Sequence, residues 1–434
     1  MKKNRTKRPV RKDQSTPRAP APTRGFTPPW GPLNPRAQLM EVVLAQGFEG
    51  VLEMLEADRE ALCGPKGLWQ PERTAYRYGH DEGRLVLGGR TVKVRRPRVR
   101  GVNGGEFELP TWQRFAEEDP LHERALQQIL LGVSTRKYAD SLEAIPEGLE
   151  AGATSSSSVS RRFVAATQRR VEVYLSRPLD ALDLPVILMD GTGFDGDHVL
   201  VTAVGIDCVG VKHVLGVVEG TTESEEVCRS LLRNLIDRGL KVERARLFVI
   251  DGGKGLRKAI RTVFGAWALV HRCHVHKLRN VAEHLPKHRR AWVRAAIRKA
   301  WALKSVKEAR QKLTQLADQL ENEHPGASGS IREGLEETLT LIQLGVSGAL
   351  HRTLCSTNPI ENLMGSLKRV TRNVKRWRGG KMALRWAVAG LVEAEKRFRK
   401  IRGHRDMLQL VTALDAVCTA VCTANKVDTK ERVA

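Results

Sequence analysis

Two short apolar segments in this chain of 434 residues end in the same order of strand, aspartate and glycine, and they constrain its fold more than any other feature. The first is LPVILMDG, with Asp190, and the second is RARLFVIDG, with Asp251. Between them lie two more strand-like segments, HVLVTAVGID and KHVLGVVEG, and an amphipathic helix over 222–238. A helix over 255–263 and a fifth strand, AWALVHRC, follow. The pattern predicts an α/β domain.

The order of these segments, β-β-β-α-β-α-β, is that of a ribonuclease H-like fold, in which the first and fourth strands are neighbours at the centre of the sheet. Asp190 and Asp251 would then leave the sheet side by side. Carboxylates a few ångströms apart repel each other unless a cation lies between them, and their oxygen atoms suit Mg²⁺ or Mn²⁺. Two such ions can assist an in-line displacement at phosphorus. Taken alone, either aspartate could equally cap a strand-to-loop turn.

A third acidic ligand has to come from further along the chain. Residues 286–355, which follow the fifth strand, are helical and basic. A new helix begins at Pro359 and carries Glu361 in its first turn. On pattern alone Glu361 competes with Glu336, Glu337, Glu393 and Glu395.

The net charge of the chain indicates its partner. Lys and Arg number 73 against 49 Asp and Glu, a formal charge of +24, which favours a polyanion such as double-stranded DNA. We expect no membrane span, because no uninterrupted apolar stretch approaches the roughly 20 residues that a spanning helix needs. With no secretory signal pattern and seven scattered cysteines, the sequence predicts a cytoplasmic protein with reduced thiols.

The N-terminal third divides into three predicted units. Residues 1–30 form a basic, proline-rich tail that we expect to be disordered. Residues 31–118 contain a helix over 39–62, interrupted at Gly47 and Gly50, and a basic β-hairpin around Gly88 and Gly89. Residues 119–178 form the third unit, a mainly helical region.

The third unit predicts a helix-turn-helix-like DNA-binding domain. A first helix runs to Gly132, Ser134 caps a second helix through Leu142, and a last helix opens at the serines 155–158. The last helix carries four outward arginines that could enter a major groove: Arg161, Arg162, Arg169 and Arg170. An ordinary charged helical hairpin is the alternative, because the linking segment PEGLEAGAT is longer than a tight turn.

Several segments together resemble a known family. They are GGRTVKVRRPRVRG, EDPLHERALQQILLGVSTRKYADSLEAI, SVSRRFVAATQRRV, LMDGTGF, GVKHVLGVVEGTTES, FVIDGGKGLRKAI, RCHVHKLRNV, and STNPIENL with NVKRWRGGKMALRW. In these segments the chain is similar to bacterial insertion-sequence transposases of the IS256 type, within the wider Mutator-like group. The resemblance extends from about residue 75 to residue 410.

The resemblance implies a DDE catalytic domain of ribonuclease H-like fold. This domain would begin at residue 179, be interrupted by an all-helical insertion over 286–355 and resume over 356–410. A C-terminal tail, 411–434, would follow it. Asp190, Asp251 and Glu361 would be the catalytic acids and the ligands of two Mg²⁺ or Mn²⁺ ions. The family's C/D-x-x-H pattern falls on Cys273 and His276, which would organise the active site rather than bind an ion.

The expected function is therefore binding of the element's terminal inverted repeats, followed by metal-dependent cleavage and strand transfer in a homodimer or larger assembly. Asp195 and Asp197 follow the first acid closely, but the position at the end of the strand favours Asp190. Two alternatives stay open. One is a catalytically silent DNA-binding protein derived from a transposase, and the other is a structure-selective nuclease of the same fold.

Overall fold

The computed structural model describes residues 35–431 except for 69–72, 88–89, 118–121, 143–148, 151, 153–154, 194–197, 373 and 375. The helices are α1 (Pro35–Cys63), α2 (Pro110–Glu117), α3 (His122–Leu130), α4 (Ser156–Leu175), α5 (Glu225–Asp237), α6 (Lys254–Phe264), α7 (His274–Glu283), α8 (Lys287–Trp301), α9 (Val306–Leu320), α10 (Pro325–Arg332), α11 (Leu335–Gln343), α12 (Gly348–Leu354), α13 (Asn358–Thr371), α14 (Gly380–Glu395) and α15 (Met407–Glu431). The strands are β1 (Ala75–Leu87), β2 (Arg90–Gly101), β3 (Glu106–Phe107), β4 (Val186–Gly193), β5 (Val199–Ile206), β6 (Lys212–Gly220), β7 (Arg246–Ile250) and β8 (Ala268–Arg272).

The main sheet has the strand order β6-β5-β4-β7-β8. Strands β4, β5 and β6 form an antiparallel meander, whereas β7 runs parallel to both β4 and β8. The predicted adjacency of the first and fourth strands of this domain is therefore confirmed, and the protein is of mixed α/β class. The two strands that carry the DG sequences are hydrogen-bonded neighbours at the centre of the sheet.

The central strands are apolar throughout because both faces of the sheet are covered. Side chains alternate between faces along a strand. In β4, Val186 and Leu188 pack into one core with helices α13 and α14, while Ile187 and Met189 pack into a second core with α5 and α6. A strand that is buried on both faces has no solvent-facing positions for polar residues, which accounts for the unbroken run VILM.

One prediction about β4 is wrong in detail. The strand does not end at Asp190 but continues to Gly193, held by antiparallel pairing with β5 in which Asp190 lies opposite Thr202. On its other side, the parallel pairing with β7 stops at Met189 and Ile250. Asp190 is thus the first residue of β4 beyond the parallel ladder, and it stays inside the sheet.

The long helical segment after β8 contributes to two cores. Helices α7 to α11 enclose a core of their own around Val293, Ala309 and Leu339. Leu341 of α11 and Leu354 of α12 instead belong to the core on one face of the main sheet. The chain therefore leaves the sheet with α7, before the predicted insertion, 286–355, and returns to it with α11 and α12.

The N-terminal unit differs from the prediction at its helix. Helix α1 continues through Gly47 and Gly50, where the predicted interruption is wrong, because tertiary packing of Val51 and Leu55 against the neighbouring hairpin outweighs the low helix propensity of glycine. The predicted hairpin is confirmed, with β1 and β2 antiparallel from Ala75 and Gly101 to Leu87 and Arg90. Its turn, 88–89, and the tail, 1–30, lie outside the described residues.

In the third unit, the helix predicted from Ser134 to Leu142 is wrong. Those residues form turns and a short 3-10 helix, Ala139–Ser141. The reason is that Tyr138 packs into a core between α3 and α4, and this tertiary contact outweighs the local helix signal. The predicted opening of the last helix in the serine run 155–158 is confirmed, because α4 begins at Ser156 and Ser155 Oγ accepts a hydrogen bond from Ser158 N, 3.2 Å away. α3 and α4 are separated by 131–155, so these two helices lack the short turn typical of a helix-turn-helix.

The last helix, α15, covers most of the predicted C-terminal tail. Its residues Met407, Leu410 and Leu414 pack into the main core. Among the described residues, His404–Ala424 is long and apolar enough to cross a membrane by length and composition alone, with 17% of that stretch buried. Core helices of soluble proteins meet the same criterion, so this helix is weak evidence for a membrane.

The two-sided burial of β4 predicts a large effect of core truncation. Leu188→Ala should lower the free energy of unfolding by about 3 kcal/mol, because a fully buried leucine leaves a cavity. Urea unfolding followed by circular dichroism measures the change. Leu408→Ala, at a position that is 74% exposed, is the control and should change stability by less than about 0.5 kcal/mol. Equal effects of the two substitutions would contradict this description of the core.

Candidate active site

The two predicted aspartates lie beside each other where the parallel strands part. Asp190 is only 5% exposed, while Asp251 follows β7 directly and is half-buried. The Asp251 Oδ1 atom accepts a hydrogen bond from Gly253 N at 2.9 Å, which closes a tight turn. Gly252 in that turn has a φ of +107° and packs against the guanidinium of Arg272, so both its backbone and its surroundings require glycine.

Negative charge is concentrated around Asp190. Burial raises the pKa of Asp190 to about 8, and repulsion from Asp251 adds to this. His276 lowers the pKa, but Glu223 and Glu361 raise it further. The folded chain thus places several carboxylates around one buried carboxylate without enough positive charge of its own to balance them.

The predicted third acid, Glu361, approaches this site from α13. Pro359 lies in the first turn of the helix, and Glu361 Oε1 lies 3.8 Å from His276 Nε2. The other candidate glutamates are held in ion pairs: Glu336 by Arg310, Glu337 by Arg257 and Arg261, Glu393 by Lys396 and Arg397, and Glu395 by Arg177. Of the five candidates, Glu361 is the one whose charge acts on Asp190.

Cys273 and His276 connect the segments that carry the acids. Cys273 N donates a hydrogen bond to Ile250 O at 2.7 Å, which anchors the start of α7 to the end of β7. Thr357 N donates to Cys273 Sγ at 3.4 Å, and Thr357 Oγ1 lies 3.4 Å from His276 Nδ1. The segment that precedes Glu361 is therefore attached to the segment that precedes α7.

This cysteine and histidine also perturb each other. Burial raises the pKa of the Cys273 thiol, but hydrogen bonds with His276 and Thr357 outweigh it, and the pKa lies below its ordinary value. A hydrogen bond with Cys273 raises the pKa of His276 against the opposing effect of burial, and the charges of Asp190 and Asp251 raise it further. An imidazolium at this position would face the carboxylate of Glu361.

Sequence reasoning missed a fourth carboxylate, Glu223, in the segment between β6 and α5. Burial raises the pKa of Glu223 to about 7, and repulsion from Asp251 contributes. Its side chain packs against Gly191 and Gly253, the glycines of the two strand ends. The signal was present in the segment GVVEGTTES, which contributes to the family resemblance, but nothing in its pattern distinguished Glu223 from a surface residue.

Among the described residues, no group of three or more His, Cys, Asp or Glu side chains converges closely enough to coordinate one metal ion. Asp190, Asp251 and Glu361 share one region of the structure, and their role as ligands stays a prediction. Asp195 and Asp197 lie outside the described residues.

The predicted DNA-binding arginines lie along α4, whose Phe163 packs against Trp386 of α14. Arg161 and Arg169 are exposed, whereas Arg162 and Arg170 are half-buried. Arg162 donates a hydrogen bond to Thr91 Oγ1 of the hairpin at 3.0 Å. Two of the four arginines are thus more exposed than the others, and α4 contacts both the hairpin and α14.

Comparison with known proteins identifies the family of this chain. The model of the family described as "Transposase, Mutator family" matches residues 39–400. The chain is 30% identical over 364 residues to a transposase for insertion sequence element ISRM5 of Rhizobium meliloti, covering 82% of this chain and 88% of that protein. It is 28% identical to a transposase for IS256 in transposon Tn4001 of Staphylococcus aureus, over 68% of this chain and 75% of the relative. A transposase for IS1081 of Mycobacterium tuberculosis is 26% identical, over 85% and 88% of the two chains.

The raised pKa of Asp190 predicts a dependence of stability on pH in EDTA. Below about pH 3.9 the carboxyl is protonated in the folded and the unfolded chain. As the pH rises towards 8, it ionises in the unfolded chain but stays protonated in the folded one, so the stability it contributes is lost through this window. Asp190→Asn should therefore unfold with a free energy higher than that of the wild type by roughly 1 to 3 kcal/mol at about pH 8.

Denaturant unfolding at several pH values between about 5 and 8 measures this difference. Asp318→Asn, on the exposed surface of α9, is the control and should leave the slope of stability against pH unchanged. An identical pH slope for wild type and Asp190→Asn would contradict the burial of an ionisable carboxyl at this position.

Proposed function

Because the chain belongs to the Mutator family of transposases, we propose that it cuts and joins DNA at the ends of an insertion sequence by a DDE mechanism in a ribonuclease H-like domain. Asp190, Asp251 and Glu361 are the three acids of this proposal. The observation that carries it is the burial of Asp190 next to Asp251, where the parallel pairing of β4 and β7 ends. The charge of Glu361 contributes to the raised pKa of the same Asp190 carboxyl.

The donor set of the site suits a divalent cation. Carboxylate oxygens are the ligands that Mg²⁺ and Mn²⁺ prefer. Asp190 is buried among like charges, and Glu223 Oε1 is buried without a hydrogen-bond partner. A buried carboxylate without a partner is costly, and a bound cation removes that cost. Asp190, Asp251 and Glu361 would hold two Mg²⁺ or Mn²⁺ ions, which supply Lewis-acid activation of the attacking oxygen and stabilisation of the leaving oxygen.

The reaction consists of two displacements at phosphorus. In the first, water attacks the phosphodiester at the end of the element and the bond from phosphorus to the 3′ oxygen breaks. A proton from the water balances the charge of the leaving oxygen, so that a free 3′-hydroxyl and a 5′-phosphate remain. In the second, that hydroxyl attacks a target phosphodiester, forming one new P–O bond as one is broken. No covalent intermediate with the protein is needed.

The protein's own residues orient these steps. The pairing of β4 with β7 fixes the spacing of Asp190 and Asp251. The contacts of Thr357 with Cys273 and His276 fix the start of α13, which presents Glu361. His276 Nε2 lies 3.8 Å from Glu361 Oε1, within the distance of an ion pair.

DNA is held mainly through its phosphates. The formal charge of +24 supports a long-range attraction to the duplex, and α4 supplies arginines for the terminal inverted repeats. We expect two ends to be brought together by a homodimer or a larger assembly, because each end needs its own set of acids. An excess of positive charge is also consistent with a protein that acts in the cytoplasm, on the DNA of the nucleoid.

Substitution of the acids tests the catalytic proposal. Asp190→Asn, Asp251→Asn and Glu361→Gln should each reduce Mg²⁺-dependent cleavage and strand transfer by more than about 100-fold, the loss seen when even outer-shell partners of a metal are removed. The substrate is linear DNA that carries the ends of the element, and products are resolved on a denaturing gel. DNA affinity, measured by fluorescence anisotropy, should stay within about threefold of the wild type, because basic side chains rather than these acids hold the phosphates.

Glu308→Gln is the matched control, since Glu308 is an exposed glutamate in the first turn of α9, as Glu361 is in α13. It should retain full activity. A wild type that binds the ends but never cuts them would support a silent DNA-binding protein, and cleavage without joining would support a nuclease. Full activity in any one of the three acid variants would remove that residue from the proposed site.

The arginines of α4 predict a change in salt dependence. Arg161→Ala combined with Arg169→Ala should weaken binding to the element's ends and reduce the slope of log affinity against log salt by about 0.9 for each phosphate that these arginines neutralise. Arg332→Ala is the control, because Asp318 and Glu321 already neutralise that side chain. An unchanged slope in the double variant would remove α4 from the DNA interface.

A further inference from the structure

We propose that Glu223 is a fourth carboxylate of the cation site and that Gly191 and Gly253 are glycines because the Glu223 side chain occupies the space of their missing Cβ atoms. The inference rests on the proposed function, since it concerns the same site. It goes beyond the three acids because Glu223 lies on none of the segments that carry them. It precedes α5, on the opposite side of the sheet's central strands from α13.

The close approach to both glycines is the first observation. A Cβ atom at residue 191 would stand 2.3 Å from Glu223 Oε2, and a Cβ at residue 253 would stand 2.3 Å from Glu223 Oε1. Real Cβ atoms do not approach other atoms so closely. Each glycine comes within two residues of a predicted acid, and the carboxylate of Glu223 lies between them.

The same geometry places Glu223 next to Asp251. The position of a Cβ at residue 253 lies 3.3 Å from Asp251 Oδ1 as well as 2.3 Å from Glu223 Oε1. Two carboxylate oxygens from different segments therefore lie close to the same point. Like charges at such separation are unfavourable unless a cation joins them.

The lack of a protein partner is the second observation. Glu223 Oε1 is fully buried and has no hydrogen-bond partner, and the structure places no Lys or Arg in an ion pair with Glu223 among its described residues. Its neighbour Glu225 behaves differently, because it pairs with Arg229 and Lys258. A buried acceptor without a donor usually belongs with a ligand, a water molecule or an ion.

The local backbone holds Glu223 in this position. Ser224 caps α5, its Oγ accepting a hydrogen bond from Val227 N at 3.3 Å, so the helix begins just after Glu223. Gly255 in the first turn of α6 lets that helix lie against the Glu223 backbone, since a Cβ there would stand 2.6 Å from Glu223 O. The backbone of Glu223 thus lies next to the starts of two helices, α5 and α6, whose dipoles favour a negative charge.

Manganese binding to the full-length protein tests the inference without any measurement of activity. Mn²⁺ is titrated into metal-free protein, and free Mn²⁺ is followed by electron paramagnetic resonance. Glu223→Gln keeps the shape of the side chain and should weaken Mn²⁺ binding by about 10- to 100-fold. Gly191→Ala should weaken it as well, because the new methyl group displaces the carboxylate.

Each variant has a matched control. Glu226→Gln removes the same charge from an exposed position three residues away, and Gly193→Ala adds the same methyl group to the same strand where nothing lies within 4 Å. Both controls should bind Mn²⁺ as the wild type does. The thermal midpoint in EDTA checks folding, and the rise in that midpoint on adding Mn²⁺ should be smaller for Glu223→Gln than for Glu226→Gln.

The outcomes separate this inference from the proposed function. If Asp190→Asn abolishes Mn²⁺ binding while Glu223→Gln binds as the wild type does, the inference is overturned and the proposed function stands. If the wild type binds no Mn²⁺ in the presence of DNA ends, the proposed function fails and the inference with it. Weakened binding in Glu223→Gln and Gly191→Ala, with both controls unchanged, supports a site of four carboxylates.

Discussion

The parallel pairing of β4 with β7 is the constraint on which the candidate site depends. Four consecutive residues of each strand are in register, from Val186 and Leu247 to Met189 and Ile250. The pairing stops there, and in both segments the next residue is an aspartate. Asp190 and Asp251 therefore lie at the same level, just beyond the end of the parallel ladder. The two acids need no long-range loop to meet, since their proximity is a property of strand register.

Strand register alone brings the carboxylates of Asp190 and Asp251 together without a positive charge to balance them. The elements around them determine how costly the ionisation of Asp190 is. The two cores on the faces of the sheet exclude water from Asp190, which raises the cost of its ionisation. The segment that precedes α5 then adds Glu223, and helix α13 adds Glu361 from the other face of the sheet. Such a cluster of like charges around a buried carboxyl is unfavourable, and the proposed divalent ions would relieve it.

The helical segment between β8 and α13 positions Glu361, the proposed third acid, although none of its own acidic residues belongs to the proposed site. Cys273 joins the end of β7 to the start of α7, and Thr357 joins that same cysteine to the start of α13. Of the two tryptophans in α8, Trp301 is buried and stacks on His274 with ring centroids 3.6 Å apart, whereas Trp292 is 48% exposed. The first is part of the scaffold, and only the second is available to a bound partner.

The sequence by itself determined the features that are encoded by residues adjacent in the chain. Apolar runs, turn residues and the repeated order of strand, aspartate and glycine were enough to predict five strands, their order and the meeting of Asp190 with Asp251. Glu361 was different, because four other glutamates fitted the pattern equally well and only the resemblance to a family selected it. The helix predicted after Ser134 failed because burial of Tyr138, a tertiary contact, outweighed local helix signals.

Only the tertiary structure decided which charged residues are already satisfied. The competing glutamates are engaged by arginine and lysine from distant segments, such as Arg177 and Glu395, and no pattern along the chain reveals such pairs. Glu223 likewise became visible only when Gly191 and Gly253 were found packed against it. The strand segments are encoded by adjacent residues and can be predicted from them, whereas the pairing of charges depends on separations in space that the chain establishes only by folding.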